Sequence, residues 1–267
     1  MEKHLHHVRQ HPPTIPGTES MSLLTGHAFP RHAHDQFGIG IFVQGSQRSW
    51  SNIGSVESAA GDVIMVNPAE IHDGLPLQGP RGWHMMYLNP EMVMGELREQ
   101  PQTDNIIMRP VVSDAALGCA MRALFNEVLA ATPDPIAAEQ ALLLCLMRIT
   151  RYHAFTAAVR EPLSPAITLA KEYIDDAPGN AISLSMLADL CGMTRFQLIR
   201  SFTREAGTTP HAYLIQARVR LAKRLLLAGH KPAGAALSAG FADQSHLTRA
   251  FRRQFGLTPG KYLHAML

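Results

Sequence analysis

The chain contains one passage twice. Residues 192–210 read GMTRFQLIRSFTREAGTTP, and residues 240–259 read GFADQSHLTRAFRRQFGLTP. Gly192 and Gly240 lie 48 residues apart, as do Ala188 and Ala236 just upstream. Past one inserted residue the offset becomes 49, pairing Leu198 with Leu247, Arg200 with Arg249, Phe202 with Phe251, Gly207 with Gly256 and Pro210 with Pro259. A passage repeated in register is a small unit built twice, so the carboxy-terminal part must accommodate two copies of it.

Each copy carries the marks of two helices meeting at a tight turn. In the first, Leu184, Leu187, Ala188 and Cys191 share a helical face behind Ser183, a residue suited to capping the exposed N–H groups. Gly192 supplies the positive φ that ends such a helix. Thr194 then opens a second helix, on which Leu198, Phe202 and Ala206 recur at i, i+4 and i+8. The small side chain at Ala188 lets two helices cross closely, which is the construction of a helix-turn-helix. In the second copy Pro232 opens a helix, Ala236 is the close-contact alanine, and Gly240 is the stop. Asp243 caps the following helix, with Leu247, Phe251 and Phe255 as its buried stripe. The opposite faces hold Arg195, Arg200, Gln244, Ser245, Thr248, Arg249 and Arg252, donors suited to base edges and phosphates in a major groove.

The separation of the copies has its own meaning. Between them runs HAYLIQARVRLAKRLLLAG, with Tyr213, Leu214, Ala217, Leu221, Leu225 and Leu226 along one side. A helix of about 18 residues spans roughly 27 Å. With the flanking turns, two reading helices then stand about 34 Å apart, one turn of B-DNA. One chain can therefore address two successive major grooves.

Charge supports this division. Residues 160–267 carry 14 Lys+Arg against 7 Asp+Glu, a balance of +7, and the remaining 10 and 15 leave residues 1–159 at −5. The basic half is the one that meets a polyanion. The break falls at REPLSPA, 160–166, with its two prolines. The densest apolar run, Ala141 to Met147, is seven residues long, against the roughly 20 a bilayer span needs. No signal peptide is expected from the polar, histidine-rich start MEKHLHHVRQHPP. Cys119, Cys145 and Cys191 are scattered without CxxC spacing, so neither a disulfide framework nor a cysteine zinc site is indicated, and a cytoplasmic location is expected.

Residues 166–267 resemble the DNA-binding domain of the AraC/XylS family of transcriptional regulators, and GFADQSHLTRAFRRQFGLTPGKY is close to that family's signature. The resemblance implies that Phe196, Ile199 and Arg200 face the bases from the first reading helix, with Thr194 at its start. Ser245, His246 and Arg249 do so from the second. Phe196 and Ile199 depart from a polar expectation and suit thymine methyl groups.

The amino-terminal half shows short apolar runs bounded by turn residues: SLLTGH, FGIGIFV, RSWSNI, GDVIMVN and WHMMYL. Strands at this spacing predict a small barrel or sandwich. FPRHAHDQFGIGIFVQG and GDVIMVNPAEIHDG resemble the cupin-type sensor domain of the same regulators. In metal-binding cupins the matching histidines, here His32, His34 and His72, converge on a divalent ion. The glutamate of that motif is missing, Gly38 and Ile39 standing at its places. Phe42, Trp50, Trp83 and Tyr87 are candidates for the effector site beside those histidines.

The expected architecture is α+β in two domains. Residues 1–19 are a flexible tail that includes His4, His6, His7 and His11. Residues 20–158 form a cupin-like effector-binding and dimerisation domain, a small barrel followed by helices near 113–131 and 135–155. Residues 159–165 are a linker, and 166–267 form an all-helical domain with two helix-turn-helix units joined by a long helix. The apolar positions 142, 143, 146, 147 and 149 predict a homodimer through the segment from Ile136 to Tyr152, with Glu139, Arg148 and Arg151 bordering it. The function expected is sequence-specific regulation of transcription by a non-enzyme that requires no cofactor. Its partners are double-stranded DNA, a small-molecule effector and, as a further candidate, RNA polymerase. The alternative is a metal-dependent cupin enzyme with a DNA-binding appendage. A DNA-repair alkyl acceptor is set aside, because its chemistry needs a zinc-bound cysteine cluster.

Overall fold

Alternation governs the amino-terminal half of the computed structural model, which describes residues 5–51, 53–97, 106–156 and 163–266. In chain order come β1 (His6–His11), β2 (Thr18–Thr25), β3 (Phe29–His32), β4 (Phe37–Gln44) and β5 (Ser46–Ser51). Then follow β6 (Gly54–Ala59), β7 (Val63–Val66), β8 (His72–Pro76) and β9 (Arg81–Leu88). Helix α1 (Pro90–Leu97), strands β10 (Ile106–Met108) and β11 (Val111–Val112), helices α2 (Ala115–Val128) and α3 (Pro135–Tyr152) and strand β12 (Ala154–Thr156) complete this unit. Six strands pair as β1-β2-β9-β4-β7-β11, four as β3-β8-β5-β6, and β10 pairs with β12. The two larger ladders are antiparallel throughout. Among the described residues they remain two sheets about a shared interior rather than one continuous ring.

Both faces of the larger sheet are buried, because successive side chains of a strand point to opposite sides. Phe37, Ile39 and Ile41 of β4, with Met86 and Leu88 of β9, form one core with Leu117, Leu124, Phe125, Leu142, Leu146 and Ile149 of α2 and α3. On the other face Met21, Leu23, Phe42, Trp83 and Met85 gather with Phe29 of β3. Glycines on β4 give this inner face its form. A Cβ on Gly40 would meet the His84 carbonyl oxygen at 2.4 Å and Met85 Sδ at 2.9 Å, and one on Gly38 would meet the Tyr87 ring at 3.3 Å. The bare backbone of β4 lets those side chains lean across it.

Helices α2 and α3 are fastened by one carboxylate. Asp114 caps α2 by accepting from the Ala116 and Leu117 amides. It also accepts from Arg148 Nε and Nη2 at 2.8 and 2.9 Å and pairs with His153 Nε2 at 2.6 Å. The Arg148 hydrogen bonds foremost, then those of His153 and the Leu117 amide, hold this carboxyl well below the usual carboxylate range.

Several expectations change here. Residues 6–11 do not belong to a flexible tail. They form β1, paired residue for residue with β2 from His6–Thr25 to His11–Ser20, and His11 Nε2 lies 2.8 Å from Ser22 Oγ. The period-2 signal was hidden because β1 is an edge strand of polar residues. The expected linker, 159–165, lies outside the described residues at 159–162, while Ser164 and Pro165 open a helix instead. Leu142, Leu146 and Ile149 are fully buried within their own unit, so they are not available to a second chain. Arg148 is held by Asp114.

The chain divides into two compact units, one of residues 1–158 with 265–267 and the other of residues 159–264. The second unit contains α4 (Pro165–Asp176), α5 (Leu184–Leu190), α6 (Arg195–Ala206), α7 (Pro210–Leu227), α8 (Pro232–Ser238), α9 (Gln244–Phe255) and all but the last two residues of α10 (Pro259–Met266). The two copies fold alike. Ser183 and Thr194 cap α5 and α6, and Asp243 caps α9. Gly192 and Gly240 make the inter-helix turns at φ 61° and 81°. Gly207 and Gly256 end α6 and α9 at φ 73° and 74°. Ala188 and Ala236 are buried where the short helices cross. Leu198 and Phe202 pack with Ile167, Ile174, Tyr213 and Leu214 in one core. In the other copy Phe251 lies 4.7 Å from Phe255 and 5.5 Å from Tyr262, ring centre to ring centre.

The copies are locked to each other at the middle of α7. Arg218 donates through Nε to the Pro178 carbonyl and through Nη2 to the Asn180 carbonyl, both at 2.9 Å. Between those carbonyls Gly179 abuts the second turn: a Cβ there would meet the Ser238 carbonyl oxygen at 2.4 Å, and one on Gly240 would meet the Gly179 carbonyl oxygen at 2.8 Å. The loop after α4 thus rests on the α8–α9 turn with backbone against backbone, and neither side can yield. Gly179→Ala is expected to destabilise this unit by roughly 1–3 kcal/mol through overpacking. Gly260→Ala, whose added methyl meets nothing within 4 Å, should change stability by less than about 0.5 kcal/mol. Chemical denaturation of the two variants makes the comparison, and equal effects would remove the contact's claimed importance.

Candidate nucleic-acid interface and effector site

The exposed faces of α6 and α9 follow from the caps. Thr194 Oγ1 accepts the Gln197 amide while Gln197 Oε1 accepts the Thr194 amide at 2.9 Å, a reciprocal cap that fixes the first turn of α6. With Leu198 and Phe202 turned fully inward, Arg195, Phe196, Ile199 and Arg200 are exposed together, Phe196 to 74%. On α9 the Asp243 carboxylate accepts the His246 amide at 2.7 Å. Gln244, Ser245, Arg249 and Arg252 are exposed there. Thr248 and His246 are half-buried. Thr248 Oγ1 donates back to the Gln244 carbonyl at 2.8 Å, and the His246 ring stands edge-on to Phe241 at 5.0 Å. Helix α7 between the copies has 18 residues. Helices α6 and α9 therefore each offer one solvent face with arginines at matching positions, Arg200 and Arg249.

In the amino-terminal unit three imidazoles converge. His32 of β3 and His72 of β8 are register partners across the smaller sheet, with ring centres 4.4 Å apart. His34 stands 4.9 Å from His32 and 5.2 Å from His72, and one ligand atom from each of the three lies within 4.8 Å of the others. His32 Nδ1 is 2.8 Å from the Pro30 carbonyl oxygen and His72 Nδ1 is 3.0 Å from that of Glu70. A carbonyl only accepts, so both Nδ1 atoms carry the proton and both Nε2 atoms keep a lone pair. Burial, and then the charge of His72, pushes His32 down to about 3; burial pushes His72 down to about 4. Both rings are neutral at ordinary pH.

Aromatic rings continue from this cluster into the interior. Tyr87 lies 4.9 Å from His34, and its hydroxyl is kept protonated by burial and by the charge of Glu19. Phe29 lies 6.4 Å from His32 and 6.1 Å from Trp83, which stacks on Phe42 at 5.5 Å. Three of the four expected aromatic residues, Phe42, Trp83 and Tyr87, thus share the interior with the histidines. Trp50 does not. Its ring lies 4.2 Å beneath the Arg31 guanidinium, and Arg31 pairs with Asp73 at 3.7 Å. Arg31 and Asp73 are the strand neighbours of His32 and His72, so they and Trp50 occupy the opposite face.

Two contributors escaped sequence reading. Phe29 bridges the histidines to Trp83. Arg81 is wholly buried and donates to Gln47 Oε1, to the Thr25, His27 and Gly74 carbonyls, and to no carboxylate among the described residues. Burial lowers its pKa to about 10, which leaves it charged. Its face could have been found by alternation, since 81, 83, 85 and 87 of β9 point the same way.

Comparison with known proteins decides the family. A helix-turn-helix domain family matches residues 187–265, and the AraC-like ligand binding domain matches residues 24–146. The chain belongs to the AraC family of transcriptional regulators. The HTH-type transcriptional regulator YbfI of Bacillus subtilis is 27% identical over 225 residues, covering 82% of this chain and 81% of its own. The HTH-type transcriptional activator RhaS of Pectobacterium atrosepticum is 24% identical over 252 residues, covering 89% and 88%. Among solved structures, Vibrio cholerae ToxT superposes with a TM-score of 0.54 at 14% identity, covering 100% of this chain and 96% of its own. It shares the two-domain fold. This AraC-family chain is accordingly a transcriptional regulator with a ligand-binding β domain, and the comparisons favour that function over a cupin enzyme. Among the described residues no helix is long and apolar enough to cross a membrane.

Proposed function

We propose that α6 and α9 enter successive major grooves of one operator and that a small molecule held by the β domain alters that binding. The carrying observation is the pair of equivalent exposed helix faces, each with an arginine at the same position, joined by an 18-residue helix and locked at Arg218. Arg200 and Arg249 read base edges; Arg195, Arg252 and Gln244 contact phosphates or neighbouring bases; Thr194 serves chiefly as the cap. Such a protein works where the DNA is, in the cytoplasm, and RNA polymerase is its natural second partner. Arg200→Ala and Arg249→Ala should each weaken operator binding by roughly 1–3 kcal/mol and relax preference in different half-sites about one helical turn apart. Affinity should fall steeply as salt rises. A footprint confined to one groove, or affinity indifferent to salt, contradicts the reading.

The interior of the β domain is the proposed effector site, with His32, His34, His72, Phe42, Trp83 and Tyr87 around it. Its three imidazoles fit a divalent transition-metal ion: His32 and His72 are neutral and have Nδ1 tied to backbone carbonyls, leaving a lone pair on each Nε2, an arrangement typical of metal-ligating histidine. When bound, such an ion would offer an open coordination position to an oxygen or nitrogen of the effector. The absence of a carboxylate at Gly38 and Ile39 leaves the set purely imidazole. Titration of the full chain with Zn²⁺ or Ni²⁺ should show one ion per chain, lost in His32→Ala/His72→Ala and kept in His230→Ala. No saturable binding would leave the histidines as a hydrogen-bonding wall.

We also propose a dimer through the outward side of α3. Ile136, Leu144, Met147 and Tyr152 are exposed there, from 53% to 77%. Pairing two chains would raise operator affinity by effective concentration. Leu144→Glu/Met147→Glu should sediment as a folded monomer with weakened binding to paired sites. Sedimentation unchanged from the wild type would exclude this surface.

A further inference from the structure

The two reading helices are the same in construction and unlike in chemistry. Counted at the repeat offset of 49, Phe196 stands where α9 has Ser245, and Ile199 where it has Thr248. Gln197, the counterpart of His246, has its amide oxygen committed to the Thr194 cap. The exposed face of α6 is therefore apolar between two arginines, Arg195 and Arg200, while the matching face of α9 offers hydroxyl, amide and guanidinium groups. Phe196 is 74% exposed and Ile199 39%, although the adjacent Leu198 and Phe202 are completely buried. Core packing gives no reason for a phenylalanine at that position. Flanking arginines on the basic half of the chain favour a polyanion as what covers it. Within a major groove the apolar feature is the thymine 5-methyl group, which the other three bases lack.

We infer that α6 selects thymine through its methyl group, using Phe196 and Ile199, while α9 selects bases by hydrogen bonding. This rests on the proposed two-groove reading and adds which chemistry each groove must display. Two methyl contacts distinguish T from C at positions where no hydrogen bond is made. The half-site under α6 is thereby thymine-rich, and the one under α9 carries the guanine and adenine edges that Arg249 and Gln244 match.

The test removes methyl groups and nothing else. The full chain selects its operator from random duplexes, and Arg200→Ala and Arg249→Ala assign the half-sites. Each thymine is then replaced in turn by deoxyuridine. Removing one buried methyl, about 0.8 kcal/mol, corresponds to roughly fourfold in affinity. We expect that loss at one or two positions in the α6 half-site and less than twofold at any position under α9. Phe196→Ala, a change at an exposed residue that leaves the core intact, should abolish discrimination between thymine and deoxyuridine at one position of the α6 half-site, and Phe196→Ala/Ile199→Ala should bind the thymine and deoxyuridine operators equally. If the wild type selects no operator, the two-groove reading fails and this inference with it. If it selects one and tolerates deoxyuridine in both half-sites, only the inference fails. It also fails if Phe196→Ala keeps wild-type affinity and discrimination but loses transcription in a purified system, since a protein then covers Phe196.

Discussion

The arrangement of the carboxy-terminal unit depends on two glycines touching. Gly179 and Gly240 bring the loop after α4 against the α8–α9 turn at distances that admit no side chain, and Arg218 holds the loop's flanking carbonyls from α7. Two helix-turn-helix units on a flexible tether would each bind as an independent weak module. Here the disposition of α6 relative to α9 is set by backbone contact and by a guanidinium that burial makes somewhat easier to deprotonate. A guanidinium is a planar fork, and two carbonyls on either side of a glycine match it. The length of α7 sets a distance between the readers, and the glycine contact sets their mutual orientation. The proposed two-groove binding would need both.

The amino-terminal unit is organised by a different economy. Among the described residues its interior holds polar groups hydrogen-bonded to neutral oxygens: neutral imidazoles at His32 and His72, and a charged Arg81. Burying them costs free energy unless hydrogen bonds compensate, and the backbone carbonyls of Pro30, Thr25, His27, Glu70 and Gly74 do so. Arg81 thereby ties β9 to β8 and to the end of β2. The carbonyls of Pro30 and Glu70 fix the tautomers of His32 and His72 and leave a lone pair on each Nε2.

The repeat made the two helix-turn-helix copies and the helix between them legible, because helix caps, stop glycines and buried stripes are local signals, but α4, α10 and the Arg218 and Gly179 contacts carried no such signal. Gly192, Gly207, Gly240 and Gly256 sit where positive φ is required. The β domain was legible only where strands alternate or run apolar. β1 and β3 are polar edge elements and carry no such signal; their pairing is long-range, and it moved residues 6–11 from tail to sheet. The convergence of His32, His34 and His72 was read from a motif, whereas Trp50 was misplaced because an aromatic on a strand does not announce its face. Alternation counted from His32 and His72 is what separates Arg31, Asp73 and Trp50 from the interior. The apolar width of α3 was read correctly, but its division between core and surface depended on α2, which sequence periodicity cannot register against it.

The unlike faces of α6 and α9 have a geometric consequence. Two identical motifs related by a two-fold axis recognise a palindrome and cannot tell left from right. Two different motifs in fixed order along one chain have no such axis, so a site read as proposed, by both helices at once, would be written in a single direction. Under that proposal the repeat supplies the spacing of a dimer without its symmetry, and each bound chain would be an arrow on the duplex.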